Sequence, residues 1–308
     1  DAHTPLVELL GPDESLERVT SARLGEVSVV NASTVADLAV LGFGPDGGLR
    51  AARDFEDGEA KADHLRQVGA LSGLLNHRDV SAILHPDDIE PADTSDHAGV
   101  FLSCEGGDFL DGDVAGLETA HAAGIRSVTL VHYRVNELGD IQTEDAVHSG
   151  LTPFGREVVR EMNRLGMIVD LAHATFDATI DALEESSQPV MISHSHLASK
   201  GASHPRLLST EHAAAVADAG GLIGAWPAGI IATTLDEYCA EICRLVDVVG
   251  VGHVAIGTDL DANYRPVVTS HEQFPDIAAG LVRRGMNSAE VDSVLGGNFV
   301  ELWQAVAG

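Results

Sequence analysis

From about residue 79 onward, short apolar, β-rich runs alternate with stretches of helical period. The runs cover residues 80–84, 99–104, 127–131, 167–171, 189–193, 221–225 and 253–257. Such near-continuous apolar strands suit a parallel sheet covered on both faces. Between them, helices are predicted at 116–123, 154–165, 174–185, 210–219, 235–248 and 288–307. The second carries an apolar stripe at Val158, Val159, Met162 and Leu165, and Gly166 follows as its stop signal. Regular alternation without a Pro/Gly/Ser linker predicts one domain over residues 1–308, an α/β fold of the (β/α)8 TIM-barrel type. No glycine-rich phosphate loop follows any strand, since Gly44-Pro45-Asp46-Gly47-Gly48 reads only as a turn. The first seventy residues give no clear pattern.

Composition narrows the picture. The 308 residues hold 48 Asp or Glu against 18 Lys or Arg, a net charge of −30, with 44% hydrophobic residues to fill a core. A general nucleic-acid binder is excluded, because the phosphate backbone would be repelled. Lys61 and Lys200 are the only lysines. A carboxylate coat that repels itself at low ionic strength is screened in molar salt, so the chain reads as halophilic, at home in a salt-rich cytoplasm. Neither a membrane-length apolar run nor a signal peptide is legible, and three cysteines build no disulfide framework. A cytoplasmic enzyme is the expectation.

In a barrel of this kind, chemistry sits where strands meet their following loops. There this sequence places Glu105, His132, His173, His194 and Asp259, and His3 would end a first strand. Any one of them alone reads as a hydrogen-bonded structural residue. Together at equivalent strand ends, they would leave costly buried polar groups unless a cation joins them. Imidazole and carboxylate ligands suit zinc and similar divalent ions, and metal-dependent hydrolysis is the natural chemistry.

At these residues the sequence resembles the membrane (renal) dipeptidases of the metal-dependent amidohydrolase superfamily. Gly150-Leu151-Thr152-Pro153-Phe154-Gly155-Arg156 opens the strongest segment, which runs on through Val169-Asp170-Leu171-Ala172-His173. Ser193-His194-Ser195, Glu105-Gly106-Gly107, Gly257-Thr258-Asp259-Leu260-Asp261 and Asn298-Phe299 follow the family pattern too. The resemblance covers roughly residues 99–308. It implies hydrolysis of a dipeptide or related small amide by a metal-activated water, and a homodimer. Glu105 would bridge two metals, His173 and His194 would hold the second, and His3 would serve the first. His132 would face the substrate and polarise its carbonyl, and Asp259 would relay a proton. Arg206 would grip the substrate's terminal carboxylate, for which a guanidinium is well shaped.

One departure matters. The family's first-strand His-x-Asp is here His3-Thr4-Pro5, and proline offers no ligand. That weakens the first metal site and leaves two rival readings: a one-metal amidohydrolase acting on another small amide, and a ligand binder without catalysis. Of the remaining candidates, Cys239 and Cys243 read as core residues and Cys104 as packing toward a helix. His196 is expected in the loop beyond its strand, and Trp226 either walls a pocket or packs.

Overall fold

The structure is a computed structural model that describes residues 12–45, 47–199 and 204–308. Its strands are β1 (Val29–Val35), β2 (Leu41–Phe43), β3 (Leu49–Ala51), β4 (Val80–Ala82), β5 (Ala98–Glu105), β6 (Ile125–Thr129), β7 (Ile168–Asp170), β8 (Met191–Leu197), β9 (Leu207–Leu208), β10 (Leu222–Ala225) and β11 (Val254–Ile256). A curled parallel sheet runs β1-β5-β6-β7-β8-β10-β11, with β4 also on β5 and β9 on β8. Helices pack outside it, giving the α/β architecture of a TIM barrel. All eight residues of β5 are buried, as a strand covered on both faces requires.

The helix Pro153–Leu165 shows how sequence sets these elements. Thr152 caps its first turn by accepting from the Gly155 amide, and Pro153 sits at the first helical position. Val158, Val159 and Met162 are fully buried against the sheet. Gly166 ends the helix in the left-handed region, at φ +67°. The expected closing helix over 288–307 is instead Ser288–Asp292 and Asn298–Ala307, separated by a wide π-type turn through Ser293–Gly297. The Gly296-Gly297 pair weakens the helix there, and Asn298 Nδ2 donates to the carbonyls of Val251 (2.7 Å) and Val254 (2.8 Å), pinning the last segment to the start of β11.

Two apolar clusters result. The larger lies between sheet and helices. The smaller joins Phe101, Ile168, Met191, Leu222 and Ala255, from five strands of the sheet, to Leu302, Trp303 and Val306 of the last helix. Trp303 is fully buried, edge-on to Phe101 with ring centres 4.8 Å apart. This helix packs against the end of the strands away from Glu105. No helix among the described residues is long and apolar enough to cross a membrane.

Registers set the level of the Glu105 end. Val35 of β1 stands opposite Glu105 of β5, Glu105 opposite Thr129 of β6, and Thr129 opposite Asp170 of β7. On β8 the pairing with β10 slips between Ile192 and Ser195, so one extra residue bulges at Ser193-His194. The expected loop position of His196 is corrected here. It lies on β8, fully buried, with its ring edge-on to Tyr238 of the helix Leu235–Val249. The strand runs on past the apolar stretch to Leu197, with every residue buried, so its polar end is not a loop.

Candidate metal centre

Glu105 ends β5, His173 follows β7, and His194 stands on the β8 bulge. Their ligand atoms converge, and all three side chains are buried. His173 Nε2 lies 3.0 Å from Glu105 Oε1 and 3.2 Å from His194 Nε2, and His194 Nε2 lies 3.5 Å from the same oxygen. An ion held tetrahedrally at about 2.0–2.2 Å from each ligand separates them by about 3.3–3.6 Å. The observed separations of 3.0, 3.2 and 3.5 Å are tighter than that on two of the three sides, and the donor set suits a divalent cation in chemistry.

Neighbouring groups hold this geometry. Asp170 is buried at the end of β7, where its Oδ1 accepts from the amides of Ala172 (3.0 Å) and Ser193 (2.9 Å) and its Oδ2 from the Thr129 hydroxyl (2.7 Å). One carboxylate thus grips the residue before each histidine. Burial pushes the Asp170 carboxyl above its usual range, against the pull of these hydrogen bonds. His194 Nδ1 shares a hydrogen bond with Ser193 Oγ (2.9 Å), which turns Nε2 toward the centre. His173 adopts φ +68°, unusual for a residue with a side chain, and its carbonyl accepts from the Gln142 amide at 2.8 Å.

Close packing matters as much. A β-carbon placed on Gly224 or on Gly257 would stand 1.8 Å from the Ser193 carbonyl oxygen. Only glycine at both positions lets β10 and the end of β11 approach β8 this closely beside His194.

His132 lies three residues past β6, with Nε2 3.3 Å from Glu105 Oε2 and Nδ1 2.7 Å from Asp37 Oδ1. Burial alone would lower its pKa, but Asp37 and Glu105 outweigh that and raise it to about 9. Asp37 also accepts from the Tyr133 amide at 3.0 Å.

Arg206 precedes β9 and is almost wholly buried. Its Nη1 donates to Gln142 Oε1 at 3.1 Å, and its guanidinium lies 5.5 Å over the Trp226 ring. Its Nε has no hydrogen-bond partner, and no carboxylate of the described residues pairs with it. Trp226 spans the gap to His194, with ring centres 6.1 Å apart.

The structure thus brings Glu105, His132, His173 and His194 to one point, with Arg206 joined to them through Trp226. Asp259 is buried after β11 at φ +50°, near enough to bear on the Tyr133 hydroxyl, but outside the three-ligand group. His3 lies outside the described residues. Sequence reasoning missed Asp37, Tyr133 and Gln142. The β-branched stretch of β1 ahead of Asp37 was the available signal. Cys104 is buried on the opposite face of β5 and meets His64 at 3.6 Å.

Residues 48–308 match the sequence profile of the membrane dipeptidase family, peptidase family M19. Dipeptidase tcpJ of Claviceps purpurea is 30% identical over 277 residues, covering 82% of this chain. The alignment takes in only 63% of that protein's length, so this chain spans less than two thirds of it. An amidohydrolase from Pseudomonas aeruginosa superposes with a TM-score of 0.80 at 24% identity, over 95% of this chain and 93% of that one. A metallo peptidase from Rhodobacter sphaeroides, liganded with a phosphinate mimic of the dipeptide L-Ala-D-Ala, superposes with a TM-score of 0.84 at 18% identity, over 99% and 98%.

Proposed function

Since this chain belongs to the membrane dipeptidase family, peptidase family M19, we propose that it hydrolyses the amide bond of dipeptides or closely related small amides with the aid of a divalent metal. The observation that carries this reading is the convergence of Glu105, His173 and His194 within ligand distance of one another. A divalent ion held by these groups, zinc being suited to imidazole and carboxylate, would supply the Lewis acid that activates water and polarises the amide carbonyl. His3 is a further ligand in this reading, beyond the described residues.

The protein's own groups do the rest. His132 presents Nε2 to the centre and donates to the oxyanion that develops on the scissile carbonyl. Asp259 accepts the proton that the attacking water gives up and returns it to the leaving amine. Arg206, buried without a carboxylate partner among the described residues, receives the terminal carboxylate of the substrate. Its stacking on Trp226 fixes the fork before the substrate arrives, which lowers the entropy lost on binding. The liganded Rhodobacter sphaeroides structure carries a mimic of a substrate of this class.

A second reading rests on Pro5, which stands where the resemblance expects an aspartate ligand. It favours one metal over two, and with it a mononuclear amidohydrolase or a non-catalytic binder. We read the chain as one barrel domain working in a salt-rich cytoplasm. Metal analysis of untagged protein, with a dipeptide panel assayed in molar KCl, tests the proposal. One or two zinc ions per chain with dipeptide cleavage is the expected result, and His173→Ala should abolish both. Full activity in that variant, or no cleavage by metal-loaded wild type, would overturn it.

A further inference from the structure

Asp37 sits where local structure gives an aspartate an ordinary task. It precedes the 3-10 turn Leu38–Val40, at the position whose side chain commonly accepts from the amides of the first turn. It makes no such bond. Its carboxylate instead reaches across 95 residues of sequence to His132, with Oδ1 2.7 Å from Nδ1, while Oδ2 accepts from the Tyr133 amide at 3.0 Å. The side chain is fully buried. Both oxygens are thus committed to one dipeptide, His132-Tyr133, which fixes the ring and the backbone that carries it.

The placement follows from strand register. Val35 of β1 pairs with Glu105 of β5, and the Ala36 amide donates to the Glu105 carbonyl at 2.7 Å. Asp37 is therefore delivered to the level of the converging ligands by the neighbouring strand. A carboxylate accepts hydrogen bonds and donates none, so the short contact requires a proton on Nδ1. The other ring nitrogen, Nε2, is then the one turned toward Glu105 Oε2 at 3.3 Å.

Resting on the hydrolase reading above, we propose that Asp37 is a positioning residue of the reaction: it holds the Nδ1 proton and the ring angle of His132, so that Nε2 faces the scissile carbonyl. Asparagine cannot replace it, because the imidazole N–H meets Oδ1 and the Tyr133 N–H meets Oδ2, so an amide NH2 in either position sets donor against donor. Nothing in this role requires Asp37 to touch substrate or metal.

The test compares wild type, Asp37→Asn, His132→Asn and the double variant, as zinc-loaded full chains on one dipeptide in molar KCl. Asp37→Asn should lower kcat by about 10–100-fold with KM within about threefold of wild type. In the His132→Asn background the same change should alter kcat by less than about twofold, because the group it positions is gone. An equal loss in both backgrounds would show a merely structural role and overturn the proposal. A second measurement needs neither activity nor a variant that folds well. In the wild-type chain, nitrogen-15 spectra of the imidazoles should show His132 Nδ1 protonated and slow to exchange, and a bare Nδ1 would overturn the proposal. If wild type cleaves no dipeptide, the hydrolase reading fails, while the ring spectra still decide the role of Asp37.

Discussion

Asp170 Oδ1 accepts the Ser193 amide at 2.9 Å, tying β7 to β8 one residue before His194. The same oxygen takes the Ala172 amide, one residue before His173. Removing the carboxylate leaves two buried amides unpaired and frees both strand ends. Asp170→Ala should weaken zinc binding by about 10–100-fold, read by competition with a chelating dye. Asp170→Asn should retain most of the affinity, since its oxygen can keep both amides while its NH2 donates to the Thr129 hydroxyl. Equal affinity in wild type and Asp170→Ala would contradict this support role.

Arg206 is buried without a carboxylate partner among the described residues. A hydrogen bond to a charged group contributes about 1.5–3 kcal/mol, so Arg206→Met should raise KM for a free dipeptide by about 10–100-fold, with kcat changed less. A dipeptide with an amidated carboxyl end should lose little. Steady-state kinetics on the two substrates checks the contrast, and equal losses on both would refute carboxylate recognition.

His64 and His212 are buried, and burial pushes each imidazole down to about 4. With folded values below the ordinary 6.5, the unfolded chain binds more protons between those limits. Their stabilising contribution is therefore complete above pH 6.5 and lost as pH falls toward 4. Each should cost about 2 kcal/mol by pH 5. Tm measured in molar KCl should fall steadily from pH 7 to pH 5, and His64→Phe should flatten the slope. A level profile across that range would count against neutral burial.

The net charge of −30 should make stability depend on salt. The screening length shrinks from about 10 Å in 0.1 M salt to about 3 Å in 1 M. Tm should rise by more than about 10 °C between 0.1 M and 2 M KCl. Equal melting at both would remove the case for a halophilic origin.

Trp303 packs at the floor of the barrel, fully buried beside Phe101. Trp303→Ala should cost about 3–5 kcal/mol in unfolding free energy, measured by denaturant titration at fixed salt. Its effect on kcat should be small, because the floor lies at the end of the strands away from Glu105.

The parallel sheet from β5 onward was legible because strands such as Ala98–Glu105 are buried on both faces and lack polar punctuation. The strand ends that the structure brings together were legible for the same reason: Glu105, His173 and His194 interrupt runs that are otherwise apolar. Early elements were hidden by different physics. β1 carries Asn31, Ser33 and Thr34, all buried, so its polarity masked the strand beside β5 and with it Asp37. The short hairpin of β2 and β3 and the three-residue β4 offer too few residues for a period to show. His196 was misplaced because the apolar run ends at Ser193, whereas β8 continues through the polar residues Ser193, His194, Ser195 and His196 to Leu197. The helix predicted over 288–307 broke where packing of Asn298 onto Val251 and Val254 overrode periodicity.

Gly224 and Gly257 take no part in any chemistry, yet each withholds a methyl group from the space that the Ser193 carbonyl fills. Alanine, the mildest substitution at most positions, is forbidden twice here unless β8 retreats and carries His194 with it. Evolution can therefore reshape the rim loops and the reactant they welcome while this spot stays frozen, guarded by two missing carbon atoms.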